Sequence, residues 1–275
     1  MSEPTLAGKT IFMSGGSRGI GLAIALRAAR DGANVAIMAK TDQPQPNLEG
    51  TVHTAVAEIE EAGGKALGIV GDIRDADAVR AAVRRTADHF GGIDVCVNNA
   101  SAINLAPLTE LPVKRFDLMM QINVRGTYVV SQACAEVLKE RGGHILTLSP
   151  PIDLDPKWLG PHAAYTLSKY GMTMLTLGLA EELRPSGVAA NTLWPRTLIA
   201  TAAVQNLLGG EAAMARSRRP EIVADAAHAI LVRDPASCTG TCFIDDEVLR
   251  EAGVSDLSAY LYSGEEKDLA VDLFL

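Results

Sequence analysis

Residues 10–22, T-I-F-M-S-G-G-S-R-G-I-G-L, constrain this chain more than any other stretch. A short apolar run, Ile11-Phe12-Met13, ends in a turn carrying Gly15, Gly16, Gly19 and Gly21. An Ala/Leu/Ile-rich helical pattern follows, from Leu22 to about Arg30. Strand, glycine turn and helix in that order open a βαβ unit. Glycine permits positive φ and lets backbone N–H groups come close to something bulky and anionic. The helix N-terminus behind the turn offers unpaired donors and the positive end of a dipole, so a pyrophosphate is its natural occupant. Ser14, Gly15, Ser17, Arg18, Gly19, Ile20 and Gly21 are therefore candidate cofactor contacts. An ordinary glycine-rich turn has the same spacing, and the rest of the chain has to decide.

The 275 residues are 48% hydrophobic, enough for one large core. Strand-like and helix-like apolar segments alternate with no break in composition. One domain is expected over residues 1–275, with its core at about 9–252 and a low-signal tail at 255–275 in which 263–266 look exposed. A net charge of −8 argues against nucleic acid or an anionic membrane surface as the main partner. No apolar run reaches about 18 residues, so no membrane span is expected. Met1-Ser2-Glu3-Pro4 lacks a basic, then apolar, leader pattern, so no secretory signal and a cytoplasmic location are expected. Cys96, Cys134, Cys238 and Cys242 form no C-x-x-C, and the five histidines have no metal-ligand spacing; no metal site is expected.

Asn34–Ala39 reads as a second buried strand. At its end, where an acid would bind the 2′-hydroxyl of NAD, stand Ala39 and Lys40. With Arg18 in the glycine turn, two cations replace the acid, which suits a 2′-phosphate and hence NADP(H); solvated surface cations give the same pattern. Asp72, after a third strand at 67–70, either touches an adenine amino group or only holds its own turn. A fourth strand at 93–97 ends in Asn98-Asn99-Ala100-Ser101, able to fix the backbone and meet a ligand, or simply to form Asx turns. One helix is expected over 112–139, with Asn123 inside its apolar run. That amide either distorts the helix and holds a water or is a satisfied structural group. A fifth strand at 144–148 ends in Ser149-Pro150-Pro151. Tyr165 and Lys169 follow four apart, on one helix face. A cation nearby lowers a tyrosine pKa and makes Tyr165 a general acid at neutral pH. A sixth strand at 188–193 runs into Trp194-Pro195-Arg196-Thr197. A last strand at 241–244 precedes a short helix that Asp245 or Asp246 caps.

In this order the motifs resemble the short-chain dehydrogenase/reductase family, from Lys9 to about Ala252. Residues 14–21 resemble its T-G-x-x-x-G-x-G turn with Ser for Thr. Asn98-Asn99-Ala100-Ser101 resembles N-N-A-G, Asn123-Val124-Arg125-Gly126 the motif around its helix Asn, and Tyr165-x-x-x-Lys169 its catalytic pair. Ser149-Pro150-Pro151, Ala164-Tyr165-Thr166 and Leu193-Trp194-Pro195-Arg196-Thr197 are similar to the hydroxysteroid-dehydrogenase-like subgroup. Some of its members carry a sterol-carrier domain; none is expected within these residues.

The resemblance implies an α/β fold of Rossmann type, a doubly wound parallel sheet of seven strands flanked by helices. It implies a cofactor contacted by Asn99, Ala100, Pro195, Thr197 and Leu198 as well as by the glycine turn, Lys40 and Asp72. Tyr165 would give a proton to a carbonyl oxygen while NADPH gives hydride to its carbon. Lys169 would bind the nicotinamide ribose, and Asn123 would hold a relay water. The family serine aligns with Pro150; Ser149, one place earlier, either serves the substrate oxygen or leaves that bond unmade. Apolar Ile103, Leu105, Leu154, Trp158, Leu198 and Leu207 hint at a hydrophobic carbonyl/alcohol substrate. A homodimer or homotetramer pairing helices 112–139 and 163–183 is implied by analogy. The alternatives are a nucleotide-binding sensor or scaffold with little catalysis, and a non-redox lyase or isomerase.

Overall fold

A computed structural model describes residues 4–46 and 48–275, so residues 1–3 of the N-terminal reading lie outside the described residues. In chain order the elements are β1 (Thr10–Ser14), α1 (Gly19–Arg30), β2 (Asn34–Ala39), α2 (Val52–Glu61), β3 (Lys65–Val70), α3 (Ala76–Phe90) and β4 (Val95–Asn98). There follow α4 (Val113–Met119), a π-helical segment (Met120–Gly126), α5 (Thr127–Leu138), β5 (Gly143–Thr147), α6 (Pro156–Leu159) and α7 (Ala163–Glu182). The chain continues through β6 (Val188–Trp194), α8 (Ala202–Leu207), α9 (Gly210–Met214), α10 (Glu221–Leu231), β7 (Cys242–Ile244) and α11 (Asp245–Glu251).

All strand pairs are parallel, in the order β3-β2-β1-β4-β5-β6-β7. The order reverses beside β1, and the crevice at the carboxyl ends of β1 and β4 is where such a sheet holds ligands. Side chains alternate across each strand, and both faces are covered. Ile11 and Met13 pack on one face with Ile24, Val52, Val223 and Ile230 of α1, α2 and α10. Phe12 points to the other, toward Val79, Val130 and Leu183 of the α3, α5 and α7 side.

Local chemistry sets the boundaries. Thr51 caps α2, its hydroxyl accepting from the Thr54 N–H at 3.1 Å. The helix expected over 112–139 keeps its course but widens into the π segment at Met120–Gly126, with Asn123 in the middle. Such widened turns recur at functional sites. Asp245 begins α11 rather than capping it: its carboxylate takes the Arg196 N–H at 2.8 Å and that of Asp246 at 2.7 Å. Among the described residues no helix is long and apolar enough to cross a membrane, and no group of three or more His, Cys, Asp or Glu is placed to hold a metal ion.

Candidate active site

The glycine turn is shaped by what lies behind it. Gly15 has φ +77°, and a Cβ there would sit 2.8 Å from Ala100 Cα. Asn99 Nδ2 donates to Gly15 O at 2.8 Å, and a Cβ on Gly21 would strike that amide. The Ser14 hydroxyl accepts the N–H groups of Asn99 and Ala100, each at 3.3 Å. Ser14 and Gly21 therefore tie β1 and α1 to the end of β4 and do not face the cleft. Gly15, Ser17, Arg18, Gly19 and Ile20 do line it, with Asn99 and Ala100 opposite.

The cleft holds about 1560 Å³ and runs from the end of β2 to Tyr165. At the β2 end Lys40 pairs with Asp72 at 3.3 Å. Arg74 also bonds Asp72 through its side chain, and that bond, against burial, holds the Asp72 carboxyl down at about 2. Arg18 differs from expectation. Its Nε donates to Glu49 O at 2.8 Å and its terminal nitrogen to Gly50 O, so it clamps the loop before α2 onto the glycine turn.

At the other end α7 puts Tyr165 and Lys169 on one face, both lining the cleft and nearly buried. Lys169 Nζ donates to Leu148 O at 2.7 Å and lies 4.9 Å from the Trp194 ring centroid. Burial pulls its pKa down to about 7, with the Asp272 charge opposing. The Tyr165 phenol is pushed up, by burial and then by Asp272. That is the reverse of the lowering expected from the lysine. In this state the ammonium bonds a backbone carbonyl, and desolvation outweighs the cation.

Asn123 is a satisfied amide. Its Oδ1 accepts from the Ala102 N–H at 2.7 Å, and its Nδ2 donates to Ala102 O and Ser168 Oγ, both at 2.9 Å. It anchors the loop after β4 to α7, and its side chain has no bond to spare for a water. Ser149 is fully buried and off the cleft, its hydroxyl accepting from Thr173 at 2.9 Å. Pro195 and Leu198 line the cleft, whereas Thr197 is buried behind it. Of the apolar candidates, Ile103, Leu198 and Leu207 line it; Leu105 and Trp158 pack behind Tyr165; Leu154 stands exposed elsewhere.

Sequence reading missed the tail. Residues 263–266 are exposed as expected, but the chain then returns to the site. Leu198 donates to Ala270 O at 2.9 Å, Asp272 to Arg196 O at 3.0 Å, and Thr197 bridges Val271. Asp272 and Leu273 line the cleft. The buried Phe274 ring lies 6.1 Å from Tyr165 and also meets Trp158, His162, Tyr170 and Trp194. Asp272 keeps some surface open to the cleft yet sits deep among protein atoms, and that depth pushes its carboxyl up to about 7. The apolar run of residues 269–275, interrupted only by Asp272, was the available signal.

The short chain dehydrogenase family model matches residues 9–211, and with this sheet, turn and Tyr/Lys pair the chain belongs to the short-chain dehydrogenase/reductase family. Within it the chain falls in the hydroxysteroid-dehydrogenase-like subgroup. Hydroxysteroid dehydrogenase-like protein 2 of Rattus norvegicus is 53% identical over 256 residues, covering 93% of this chain and 48% of that protein. Its Danio rerio counterpart is also 53% identical, covering 93% and 61%. The chain thus spans about half to three-fifths of those relatives. A short chain dehydrogenase from Mycobacterium thermoresistibile superposes with TM-score 0.92 at 62% identity, covering 98% of this chain and 96% of that one. A short-chain type dehydrogenase/reductase from Mycobacterium marinum gives 0.76 at 28%, covering 87% and 94%. The family binds a nicotinamide cofactor. The residues present fit one: the turn residues Gly15, Ser17, Arg18, Gly19 and Ile20 wall the cleft where α1 begins, with the donor-rich end of that helix facing it, and the cleft continues from there to Tyr165.

Proposed function

We propose that this protein is an NADP(H)-dependent oxidoreductase acting on an apolar carbonyl/alcohol pair. The observation that carries the reading is that Tyr165 and Lys169, one helical turn apart, line the same cleft as the Gly15–Ile20 turn. A bound nicotinamide supplies or accepts the hydride. Tyr165 gives its phenolic proton to the substrate oxygen during reduction and takes it back during oxidation. Lys169 holds the ribose and, once its ammonium turns from Leu148 O toward the phenol, lowers the cost of the phenolate. Asn123 keeps the loop carrying Ser101 and Ala102 in place beside them. Tyr165→Phe is expected to lower kcat by about 10²–10⁴-fold, the range for loss of a general acid, while NADPH binding persists. Unchanged turnover would refute the mechanism.

The NADP(H) preference rests on Ala39-Lys40 where an acid would bind a 2′-hydroxyl, and on the half-exposed Lys40. Lys40→Ala is expected to weaken NADPH by roughly 10-fold, about 1.4 kcal/mol, and leave NADH nearly unchanged. Arg18→Ala should weaken both, since Arg18 clamps a loop. Calorimetric Kd values for the two cofactors decide this. A homodimer or homotetramer belongs to the same proposal; Leu167 and Met174 are exposed on α7, and sedimentation velocity checks it. The rival reading, nucleotide binding without turnover, draws on Phe274 standing against Tyr165. Tight NADPH binding with no reduction across a broad carbonyl panel would favour it.

A further inference from the structure

The reading above leaves the substrate oxygen with one donor, the phenol of Tyr165. The hydroxyl next in sequence to the expected second donor is out of reach. Ser149, the residue before Pro150, follows a tight backbone turn in which its N–H donates to Thr147 O at 3.0 Å, and its hydroxyl is turned to the protein interior. There it meets Thr173 inside the protein.

A different polar group does reach the cleft. Asp272 is held by backbone bonds rather than by its side chain alone. Its N–H donates to Arg196 O, Val271 bridges Thr197, and the Leu273 carbonyl accepts from Trp194 Nε1 at 2.9 Å. Phe274 closes the segment at φ +76°; among the described residues it is the one non-glycine with a positive φ. A left-handed phenylalanine persists only where its surroundings dictate it. Here the ring packs against Tyr165, while Asp272 and Leu273 line the cleft and the Asp272 charge is felt by both Tyr165 and Lys169. One oxygen, Oδ1, accepts the Leu273 N–H at 2.7 Å. No cation lies within ion-pair distance of Asp272 among the described residues.

Resting on the oxidoreductase reading, we infer that Asp272 is a substrate-contacting catalytic residue, hydrogen-bonding the reacting oxygen beside Tyr165 in the place Ser149 does not fill. In reduction, hydride from the nicotinamide forms the new C–H bond, the carbonyl π pair moves to oxygen, and that oxygen takes the Tyr165 proton. Asp272 in its neutral form donates a hydrogen bond to the same oxygen and transfers nothing. Burial keeps a neutral form accessible near neutrality. The charged and titratable groups facing it are Lys169 and Tyr165 from α7 and Asp245 from α11. The Arg196 guanidinium is turned to Asp246 and Glu247.

The test compares wild type, Asp272→Ala and Asp272→Asn, with NADPH and 9,10-phenanthrenequinone as the probe. Asp272→Ala is expected to lower kcat at least 10-fold, with NADPH Kd within twofold and a melting temperature within a few degrees. Asp272→Asn, whose amide donates, is expected to return kcat to within about threefold of wild type. Independently of turnover, an NMR titration of Lys169 should show its midpoint lower in Asp272→Asn, because a facing negative charge is gone. An active wild type with Asp272→Ala unchanged in kcat, Asp272→Asn no better than Ala, or an unmoved Lys169 midpoint each overturns the inference. A wild type that binds NADPH yet reduces neither this quinone nor any member of a ketone panel overturns the oxidoreductase reading beneath it.

Discussion

At Asp272 the pH dependence of folding acquires a definite sign. An aspartate in the unfolded chain titrates near 4, and burial raises it to about 7 in the fold. Between those values the folded protein keeps a proton that the unfolded chain has lost, so this group costs stability progressively as pH rises from about 4 to about 7. Lys169, lowered to about 7 by burial, acts above that window, where stability recovers as pH rises toward the unfolded lysine value. Asp272→Asn removes the first contribution and, by taking away the negative charge facing Lys169, extends the second to lower pH. Its melting temperature relative to wild type is expected to climb by several degrees between pH 5 and pH 7.5, and calorimetric scans across that range check it. The pairing of Tyr165 with Lys169 was legible from four-residue spacing. The direction of the tyrosine shift was not, because desolvation depends on how deeply α7 is covered.

Among the elements, the π segment Met120–Gly126 shows how one side chain fixes a loop. Asn123 answers both Ala102 backbone groups and the Ser168 hydroxyl, linking the helix to the loop after β4 and to α7. Asn123→Ala takes away the partners of the half-buried Ala102 N–H and C=O. Two hydrogen bonds worth about 0.5–1.5 kcal/mol each are lost, so a loss of roughly 1–3 kcal/mol is expected, with faster amide exchange at Ala102 than in β1. Urea melts and hydrogen exchange measure both. The sequence offered two readings of this residue, a water holder and a satisfied amide; for the side chain the contacts select the second. Of the two readings of Ser149, its contacts favour the unmade bond: its N–H closes onto Thr147 O at 3.0 Å and its hydroxyl accepts from Thr173 inside the protein.

For the whole molecule, the cleft couples ligand binding to folding through the glycine turn. NADPH at 100 times its Kd is expected to stabilise the protein by about 2.7 kcal/mol. Gly15→Ala requires an alanine at φ +77° with its Cβ 2.8 Å from Ala100 Cα, and is expected to abolish most of that rise in melting temperature. Cofactor titrations monitored by thermal melting check it. By itself the sequence determined the alternation of strands and helices, the glycine turn and the helix face carrying Tyr165 and Lys169, because those follow from periodicity and φ preference over a few neighbouring residues. Only tertiary structure decided that Arg18 clamps a loop, that Ser149 faces Thr173, and that residues 270–274 return to wall the cleft. Each of those depends on contacts between segments far apart in the chain, where local pattern carries no information about what lies opposite.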